Sequence, residues 1–417
     1  MTAAGTLLLL LAVVKCIPAV RLKCDDRVCI VYNLRSSLDS FVYRYFPKKT
    51  DTLVHKHLQV EHADRAFLED IQSVSPIESV VITDSDRLVR ISIAGRFNAS
   101  SLTITHTSLT CVDVEEENHQ LQQLLILNSK LTSVPKTIDQ LQSLVTLRIK
   151  NCLLVELDLT HFCLMPKLYY LDVRNNRIST VIRTPAKNDR CDAHVVYIYL
   201  VQNKLSSVNM TMFDDFARLR YLDLCNNLLQ SLTGSFVAPV LEDLRLANNN
   251  LTTLSFCHWY VPQLSRIIIN KNALINVPEC LANVANASDL VLCSNKISTV
   301  KLDSFAMMDK LLYLDVCWNR LTSVILNSTN YPSSLATINL SYNRLTQLDL
   351  SWVPLRNLLL MVNHNFISRF DVSKVSCNVT RCIMTGNPID CSWSDVPDDP
   401  GASFTGRASV QCVQNGD

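Results

Sequence analysis

The chain has 417 residues, of which 48% are hydrophobic, and it carries 39 basic and 38 acidic side chains. This near balance gives no electrostatic reason to expect nucleic acid or an anionic membrane as the partner. None of the seven glycines is spaced to cradle a phosphate, and no nucleophile elbow or zinc-protease motif occurs. Composition and motifs therefore predict a protein that is not an enzyme and needs no cofactor.

Residues 1–19, MTAAGTLLLLLAVVKCIPA, have an apolar core from Leu7 to Val14 and small residues near Ala19. This pattern predicts a cleaved secretory signal peptide. A membrane anchor is the alternative, but the apolar run is shorter than the roughly 20 residues that span a bilayer, and no later stretch qualifies. We therefore expect a secreted, extracellular protein without a membrane span. Cleavage would also remove Lys15 and make the basic and acidic counts equal.

Residues 20–70 are expected to form an N-terminal cap that a disulfide between Cys24 and Cys29 closes. The densest histidine group of the chain lies in the same segment, at His55, His57 and His62. Alternation along a strand would put the first two on one face. The charged residues around them favour a solvated edge of the first coil over a catalytic site.

Residues 71–390 contain a repeat, seen clearly in LRYLDLCNNLL from Leu219. Leucine or another apolar residue recurs at the first, fourth, sixth and eleventh positions, and asparagine at the ninth. We assign the ninth position to Ser85, Thr107, Ser129, Cys152, Asn176, Asn203, Asn227, Asn249, Asn272, Asn295, Asn319, Asn343, Asn363 and Asn387. This spacing predicts an α/β-type solenoid, a leucine-rich repeat horseshoe with a parallel concave sheet of about fourteen repeats.

The repeat has a physical reason. The fourth and sixth residues alternate along a short strand, so both point inward, and stacked coils bury them in a continuous core. The ninth residue leaves the strand, where an asparagine amide is expected to bond backbone groups of the next coil. Serine, threonine and cysteine replace it in the first four repeats, which predicts a weaker ladder there.

Sixteen cysteines indicate an oxidising compartment. Residues 391–417 are expected to form a C-terminal cap closed by Cys391 and Cys412. Cys257 and Cys280 stack one coil apart, which allows a bond if their side chains converge, and Cys163 and Cys191 form a similar pair. For Cys382, the sequence is compatible both with a buried thiol and with a disulfide bridge. No C-x-x-C pair or nearby histidine completes a metal site.

The cysteine in LRYLDLCNNLL is Cys225, at a seventh position, as are Cys293 and Cys317 in two adjacent repeats. All three should project from the sheet, and the last two could bridge neighbouring strands. Cleavage of the signal peptide leaves fifteen cysteines, an odd number. At least one thiol is then free or bonded to another chain.

Seven Asn-x-Ser/Thr sequons fit the secretory route, so several glycans are expected. They are Asn98, Asn209, Asn250, Asn286, Asn327, Asn339 and Asn378. Asn339 stands out because it occupies a fifth position, in the middle of a strand. A glycan there would cover part of the concave face, whereas a tightly packed strand would leave the sequon unmodified.

The concave face is the expected binding surface, because the third, fifth, seventh and eighth residues of each repeat project from it. Tyrosine and tryptophan recur at these positions, and both types are enriched at interface hot spots. The alternative is that aromatic residues simply favour strands. The residues that we assign to the ligand-binding face are Tyr170, Asp172, Tyr197, Tyr199, Tyr221, Asp223, Arg245 and Trp318.

A signal peptide, a C-x4-C cap leading into VYNLR, irregular repeats and the closing NPIDCSW together resemble the mosquito leucine-rich repeat immune proteins. The resemblance implies a secreted haemolymph protein of innate immunity, whose partner is a complement-like thioester protein or a pathogen surface. Longer members carry a C-terminal coiled coil, and this sequence has no heptads, so it resembles the coil-less subgroup. An extracellular adhesion or matrix module is the alternative function.

Overall fold

The computed structural model describes residues 19–72, 77–184, 191, 193–389 and 409–411. Most of the expected signal peptide, together with Cys391 and Cys412, lies outside the described residues. The chain divides into two compact units. The first unit is 1–205 with 215–219, and the second unit is 206–214 with 220–417.

The first unit is a stack of coils around a parallel sheet. Its strands are β1 (Arg21–Asp25), β2 (Val28–Tyr32), β3 (Thr52–Lys56), β4 (His62–Ala63), β5 (Ser79–Ser85), β6 (Arg90–Ile93), β7 (Ser101–Thr107), β8 (Cys111–Val114), β9 (Gln123–Leu127), β10 (Thr146–Lys150), β11 (Glu156–Asp158), β12 (Tyr170–Asp172), β13 (Thr180–Ile182) and β14 (Tyr197–Tyr199). Its helices are α1 (Arg65–Gln72) and the 3-10 segments Ser37–Tyr45, Ile138–Gln140 and Leu159–Leu164.

The main sheet of this unit runs β1-β2-β3-β5-β7-β9-β10-β12-β14. All neighbours are parallel except β1 and β2, which are antiparallel. Shorter strands form two small parallel sheets elsewhere on the coils, β4-β6-β8 and β11-β13.

The second unit repeats this plan. Its strands are β15 (Ser207–Asn209), β16 (Tyr221–Asp223), β17 (Ser231–Thr233), β18 (Phe236–Val237), β19 (Asp243–Arg245), β20 (Trp259–Tyr260), β21 (Arg266–Ile268), β22 (Asp289–Val291), β23 (Thr299–Lys301), β24 (Tyr313–Asp315), β25 (Ser323–Ile325), β26 (Thr337–Asn339), β27 (Leu358–Met361), β28 (Val379–Ile383) and β29 (Ser409–Gln411). Its 3-10 segments are Met210–Phe213, Leu281–Val284, Leu302–Phe305 and Val372–Lys374.

The main sheet of the second unit runs β16-β19-β21-β22-β24-β26-β27-β28-β29, with every neighbour parallel. Three two-stranded sheets, β15-β17, β18-β20 and β23-β25, lie apart from it. The described helices of both units include none long and apolar enough to cross a membrane.

The core of each coil consists of the inward residues that the repeat predicts. In the second unit the fourth-position residues of successive strands pair in register, and each is at most 1% exposed: Leu222, Leu244, Ile267, Leu290, Leu314 and Ile338. Each coil therefore covers the apolar side chains of its neighbour. The leucine-rich repeat fold and its parallel sheet are confirmed.

The asparagine ladder exists, but it bonds the preceding coil, not the next coil as we expected. Asn249 donates to the carbonyls of Leu224, one coil earlier, and of Leu246 in its own coil. Its Oδ1 accepts from the amide of Leu229, also one coil earlier. The same three bonds recur through the second unit. One buried side chain thus satisfies backbone groups on both sides of a coil boundary.

One ninth position was assigned wrongly from the sequence. Asn365, not Asn363, is the buried ladder residue, since it donates to the carbonyls of Leu340 and Val362. The register of the coil shifts by two residues, so Asn339 pairs with Met361, not with Leu359. The spacing in this part of the array is therefore a regular 22 residues.

The main sheet begins before the first repeat that the sequence identified, because β2 and β3 join it in parallel. In β3, His55 takes the inward sixth position and is 0% exposed, with Tyr43 Oη 3.3 Å from its Nε2. The expected solvated edge is thus wrong for His55. It holds for His57, which is exposed.

Four disulfides occur among the described cysteines. Cys24–Cys29 and Cys163–Cys191 lie in the first unit. Cys257–Cys280 and Cys293–Cys317 lie in the second unit, each joining successive coils. The described free cysteines are Cys111, Cys152, Cys225, Cys377 and Cys382. Cys382 is therefore a buried thiol and not a bridge.

Candidate functional site on the exposed sheet face

The sheet face of each unit consists of the side chains at third, fifth and seventh positions, opposite the apolar core. In the first unit, β12 and β14 place Tyr170, Tyr197 and Tyr199 on this face, all half-buried. The rings of Tyr170 and Tyr199 have centroids 5.0 Å apart, and those of Tyr197 and Tyr199 stack at 6.5 Å. Tyr169 adds its ring at 5.4 Å from Tyr197. These four rings form one aromatic surface.

Two arginines complete what we call the tyrosine cluster. The Arg148 guanidinium carbon lies 4.8 Å from the Tyr170 centroid, and that of Arg174 lies 4.9 Å from the Tyr199 centroid. Cations at this distance over a ring face are attracted by its quadrupole. Each ring is thus held by a neighbour instead of projecting alone, which lowers the entropy that a binding partner would have to remove.

Asp172 requires a correction. We expected it to be exposed on the binding face, but it is 0% exposed. Its two carboxylate oxygens accept from Arg174 Nε and Nη2, at 2.8 and 2.7 Å. This bond raises the pKa of Arg174. Asp172 therefore orients the guanidinium that covers Tyr199, and no surface of the carboxylate remains for a ligand.

The Tyr199 hydroxyl stays protonated at neutral pH. Burial, and after it the neighbouring Tyr170, raises the pKa of Tyr199 to about 12. This hydroxyl can therefore donate as well as accept hydrogen bonds. Arg148 is different, because in the described part of the chain it forms no ion pair and its buried Nε has no hydrogen-bond partner. The cluster therefore presents aromatic rings, hydroxyl groups and one cation, Arg148, that is not paired with a carboxylate.

The sheet face of the second unit carries a related arrangement. Tyr221 donates from its hydroxyl to Asp223, at 3.1 Å, and the Arg245 guanidinium carbon lies 5.0 Å from the Tyr221 centroid. Arg245 is paired with Asp243. Asp223 is only 8% exposed, so it also supports its neighbours and is not the exposed ligand group that we expected.

Cys225 stands beside Asp223, on the same face. Its backbone amide donates to Asp223 Oδ1, and burial followed by the Asp223 charge raises the pKa of the thiol. The thiol is therefore protonated at neutral pH and is a weak nucleophile. The cysteine that interrupts LRYLDLCNNLL is thus a half-buried thiol on the sheet face, without the reactivity of a catalytic cysteine.

Further along the second unit, a disulfide replaces free thiols. Cys293 and Cys317 lie on adjacent strands with Cα atoms 4.6 Å apart, and Asp315 lies beside them. Both sulfurs are bonded to each other, so neither is a thiolate able to bind a metal. Tyr313 donates to Asp315, and burial raises the pKa of that carboxyl, while Asn339 opposes the shift through a hydrogen bond.

Trp318 is an exposed residue just past the end of a strand of the sheet. It follows β24 at an eighth position, where its φ is 50°, and it is 56% exposed. Its ring stacks on Tyr342, one coil later, with centroids 4.1 Å apart. The eighth residues of successive coils follow the strands directly and share a left-handed backbone. The repeat spacing carried no signal for this backbone conformation.

The sequon asparagines fall into two groups. Five have exposed side chains: Asn98, Asn209, Asn250, Asn286 and Asn327. Asn339 and Asn378 are half-buried and bonded, since Asn339 accepts from the Ser341 amide and Asn378 donates to the Val353 carbonyl.

Comparisons with known proteins agree with this architecture. A family model described as Leucine rich repeat matches residues 193–251 and 285–345. Toll-like receptor 2 of Canis lupus familiaris is 25% identical over 290 residues, 63% of this chain and 36% of that protein. Osteomodulin of Bos taurus is 30% identical over 159 residues, 36% of this chain and 35% of that protein. The chain thus spans about a third of the length of the curated relatives it matches.

Solved structures show the same fold. A leucine-rich repeat protein of Leptospira interrogans superposes with a TM-score of 0.59 at 20% identity, over 84% of this chain and 88% of that chain. The LRIM1/APL1C complex gives a TM-score of 0.58 at 15% identity, over 93% of this chain and 69% of that chain. At such identities the likeness concerns the fold alone.

Proposed function

We propose that this chain, a leucine-rich repeat protein, is secreted and binds a protein partner through the sheet face of its first unit. The observation that carries the proposal is the tyrosine cluster, in which Tyr170, Tyr197 and Tyr199 lie between two arginines. Tyrosine and arginine are the residue types enriched at the centre of protein interfaces. We assign no catalytic role to either unit.

Preorganisation supports a binding role over a purely structural one. Rings at these positions cannot contribute to the core, since they lie on the opposite side of the strands from Leu171 and Ile198. The arginines and Asp172 hold the rings in one arrangement before any partner arrives, so little conformational entropy is lost on binding. In the second unit, Tyr221 and Arg245 have the same chemistry, and we propose them as a separate contact surface of that unit.

Secretion is proposed from disulfides and sequons. Four disulfides among the described residues fit an oxidising compartment, and five sequon asparagines are exposed. A role in innate immune recognition is proposed from the resemblance of the caps and repeats to the mosquito proteins. On that view the partner is a complement-like thioester protein or a pathogen surface.

The binding surface is tested by capture of partners from body fluid with the recombinant secreted protein. The triple variant Tyr170→Ala, Tyr197→Ala, Tyr199→Ala should lose at least tenfold in affinity for a partner that the wild type captures, because a hot-spot residue contributes about 2 kcal/mol or more. The matched control is Tyr45→Ala with Tyr260→Ala, since both side chains are exposed away from the sheet faces. Equal loss in the control, or full binding by the triple variant, would exclude the tyrosine cluster.

The biological role needs a separate test. An immune protein should show transcript induction after infection, whereas an adhesion or matrix module should show steady expression in developing tissue. Steady expression together with a tissue ligand would contradict the immune role and leave the binding surface untouched.

A further inference from the structure

The eighth position of each described coil has a left-handed backbone, and asparagine is the residue found there most often. Asn128, Asn151 and Asn175 have φ between 49° and 57°, and their amides bond one another from coil to coil. Asparagine tolerates this region better than most residues. In these coils the eighth positions form a chain of short polar side chains.

Three successive coils of the second unit carry aromatic residues at this position. Trp318, Tyr342 and His364 have φ of 50°, 58° and 53°. Histidine is tolerated in this region, but bulky side chains such as tryptophan and tyrosine are rare there, and residues held there cluster at ligand-binding and switch sites. A left-handed backbone at Trp318 and Tyr342 indicates a functional constraint, since asparagine at these two positions would relieve the strain.

These rings form a continuous stack, which we call the aromatic column. Trp318 and Tyr342 are 4.1 Å apart and nearly parallel at 6°, and Tyr342 and His364 are 4.4 Å apart at 17°. The stack ends on Gly386, where an added Cβ would lie 2.4 Å from His364 Nδ1. Both faces of Tyr342 and of His364 are therefore covered, and their exposed parts are ring edges.

Cations occupy the tenth positions of three successive coils, two of which belong to the aromatic column. Arg320 follows Trp318 and Arg344 follows Tyr342 by two residues, whereas Lys296 lies one coil before the column; all three are exposed, and none forms an ion pair within the described ranges. The residues that follow these positions, 294–302, 318–328 and 342–348, contain no aspartate or glutamate, and the next acidic residues along the chain are Asp303 and Asp349. Ring edges carry the positive side of the aromatic quadrupole. The aromatic column and these cations together form an electropositive strip.

We propose that this strip binds an acidic, extended segment of a protein partner. Carboxylates would pair with Arg320 and Arg344, whose planar guanidinium groups bind them bidentately. The backbone and aliphatic parts of the segment would lie along the ring edges. This site is in the second unit, it uses none of the tyrosine cluster residues, and it does not depend on the function proposed above.

The geometry favours a peptide over other polyanions. Sugars and nucleic acid bases bind aromatic side chains mainly by stacking on ring faces. Here the stack itself covers the faces of Tyr342 and His364, and only one face of Trp318 remains. A sulfated glycan would therefore interact with the cations alone and would not need the aromatic column.

The test uses the full secreted chain and a fluorescein-labelled eight-residue peptide of alternating glutamate and serine, measured by anisotropy at low and at physiological salt. A peptide with glutamine in place of glutamate is the ligand control. We expect the acidic peptide to bind at least tenfold more tightly than the glutamine peptide, and the affinity to fall with salt. Equal binding of the two peptides, or no binding of either, would overturn the proposal.

Two sets of variants locate the site. Arg320→Glu with Arg344→Glu should weaken the acidic peptide at least tenfold. The matched control, Lys310→Glu with Arg356→Glu, makes the same change in net charge at exposed residues just before β24 and β27 and should change affinity less than twofold. Equal loss in both pairs would mean a general charge effect and would contradict the proposed strip.

The aromatic column is tested by Trp318→Asn, Tyr342→Asn and His364→Asn together. Asparagine suits a left-handed backbone, so this variant should be secreted and melt at least as high as the wild type while losing severalfold in peptide affinity. Unchanged peptide affinity would show that the rings take no part. Binding of a heparin-type oligosaccharide without binding of the peptide would replace the proposed partner with a sulfated glycan.

Discussion

His55 shows how one residue can depart from the repeat and still serve the core. It fills an inward position that the other coils give to leucine, isoleucine or valine, and it contacts the rings of Tyr43 and Phe67. Burial lowers its pKa to about 3. The imidazole is therefore neutral in the folded protein at neutral pH, and its Nε2 lies within hydrogen-bond distance of Tyr43 Oη.

This depressed pKa predicts acid sensitivity. In the unfolded chain the imidazole takes up a proton below about pH 6.5, whereas the folded chain keeps it neutral down to about pH 3. Stability should therefore be complete above pH 6.5 and fall as the pH falls, by up to about 1.4 kcal/mol per pH unit. His55→Leu should remove this part of the slope between pH 7 and 5, measured by hydrogen exchange of the β3 amides. An unchanged slope would contradict it.

At the scale of the element, the coil boundary is held by one side chain per coil. Asn319 donates to the carbonyls of Leu292, Val316 and Cys317, at 3.0 to 3.1 Å, and accepts from the Ile297 amide. Cys152 occupies the same position in the first unit, and its sulfur lies 3.3 and 3.6 Å from two carbonyls. The coil boundary at Cys152 is therefore held by weaker bonds than the one at Asn319, because a thiol is a poor donor.

The two positions should respond differently to truncation. Asn319→Ala removes the side-chain partner of the Ile297 amide and of the Leu292 and Val316 carbonyls. We therefore expect the free energy of unfolding to fall by about 3 kcal/mol. Cys152→Ala removes only weak hydrogen bonds and a small apolar group, so the free energy of unfolding should fall by about 1 kcal/mol. Urea unfolding of each variant, with exchange at the Ile297 amide for the first, measures the difference. Equal losses would mean that the ladder contributes little beyond packing.

The sequence predicted the elements well and the side-chain environment less well. Strand positions, the inward leucines and the disulfide pairs follow from spacing, because a repeated spacing repeats the same geometry. The register error at Asn363 arose because Asn363 and Asn365 both follow the same strand, and only burial distinguishes them. Asp172 was misplaced for another reason. The burial of a carboxylate against its arginine partner depends on the packing around it, which the spacing of one repeat does not specify.

For the whole molecule, exposure should decide which sequons carry glycans. We expect glycans at the five exposed asparagines and none at Asn339, whose side chain bonds Ser341 and Asp315 on the sheet face. A sugar on Nδ2 of Asn339 would disturb the hydrogen bond to Asp315 and place a bulky group on a packed strand. Glycopeptide mapping of the secreted protein measures occupancy. A modified Asn339 in folded, secreted protein would show that this part of the sheet face is covered and unfit for a partner.

The distribution of free thiols gives a second prediction for the whole chain. Cys377 is exposed, while burial raises the pKa of Cys152 to about 11 and of Cys382 to about 12. Alkylation at neutral pH should therefore modify Cys377 in the native protein, and the two buried thiols only after denaturation, because the thiolate is the reacting form. Mass spectrometry without reduction reads the order of labelling. If Cys377 resists alkylation and Cys377→Ser removes a covalent dimer from non-reducing gels, this exposed thiol is the site of an interchain bond. Rapid native labelling of Cys382 would instead mean that the last described coil opens in solution, and the burial of its core would need revision.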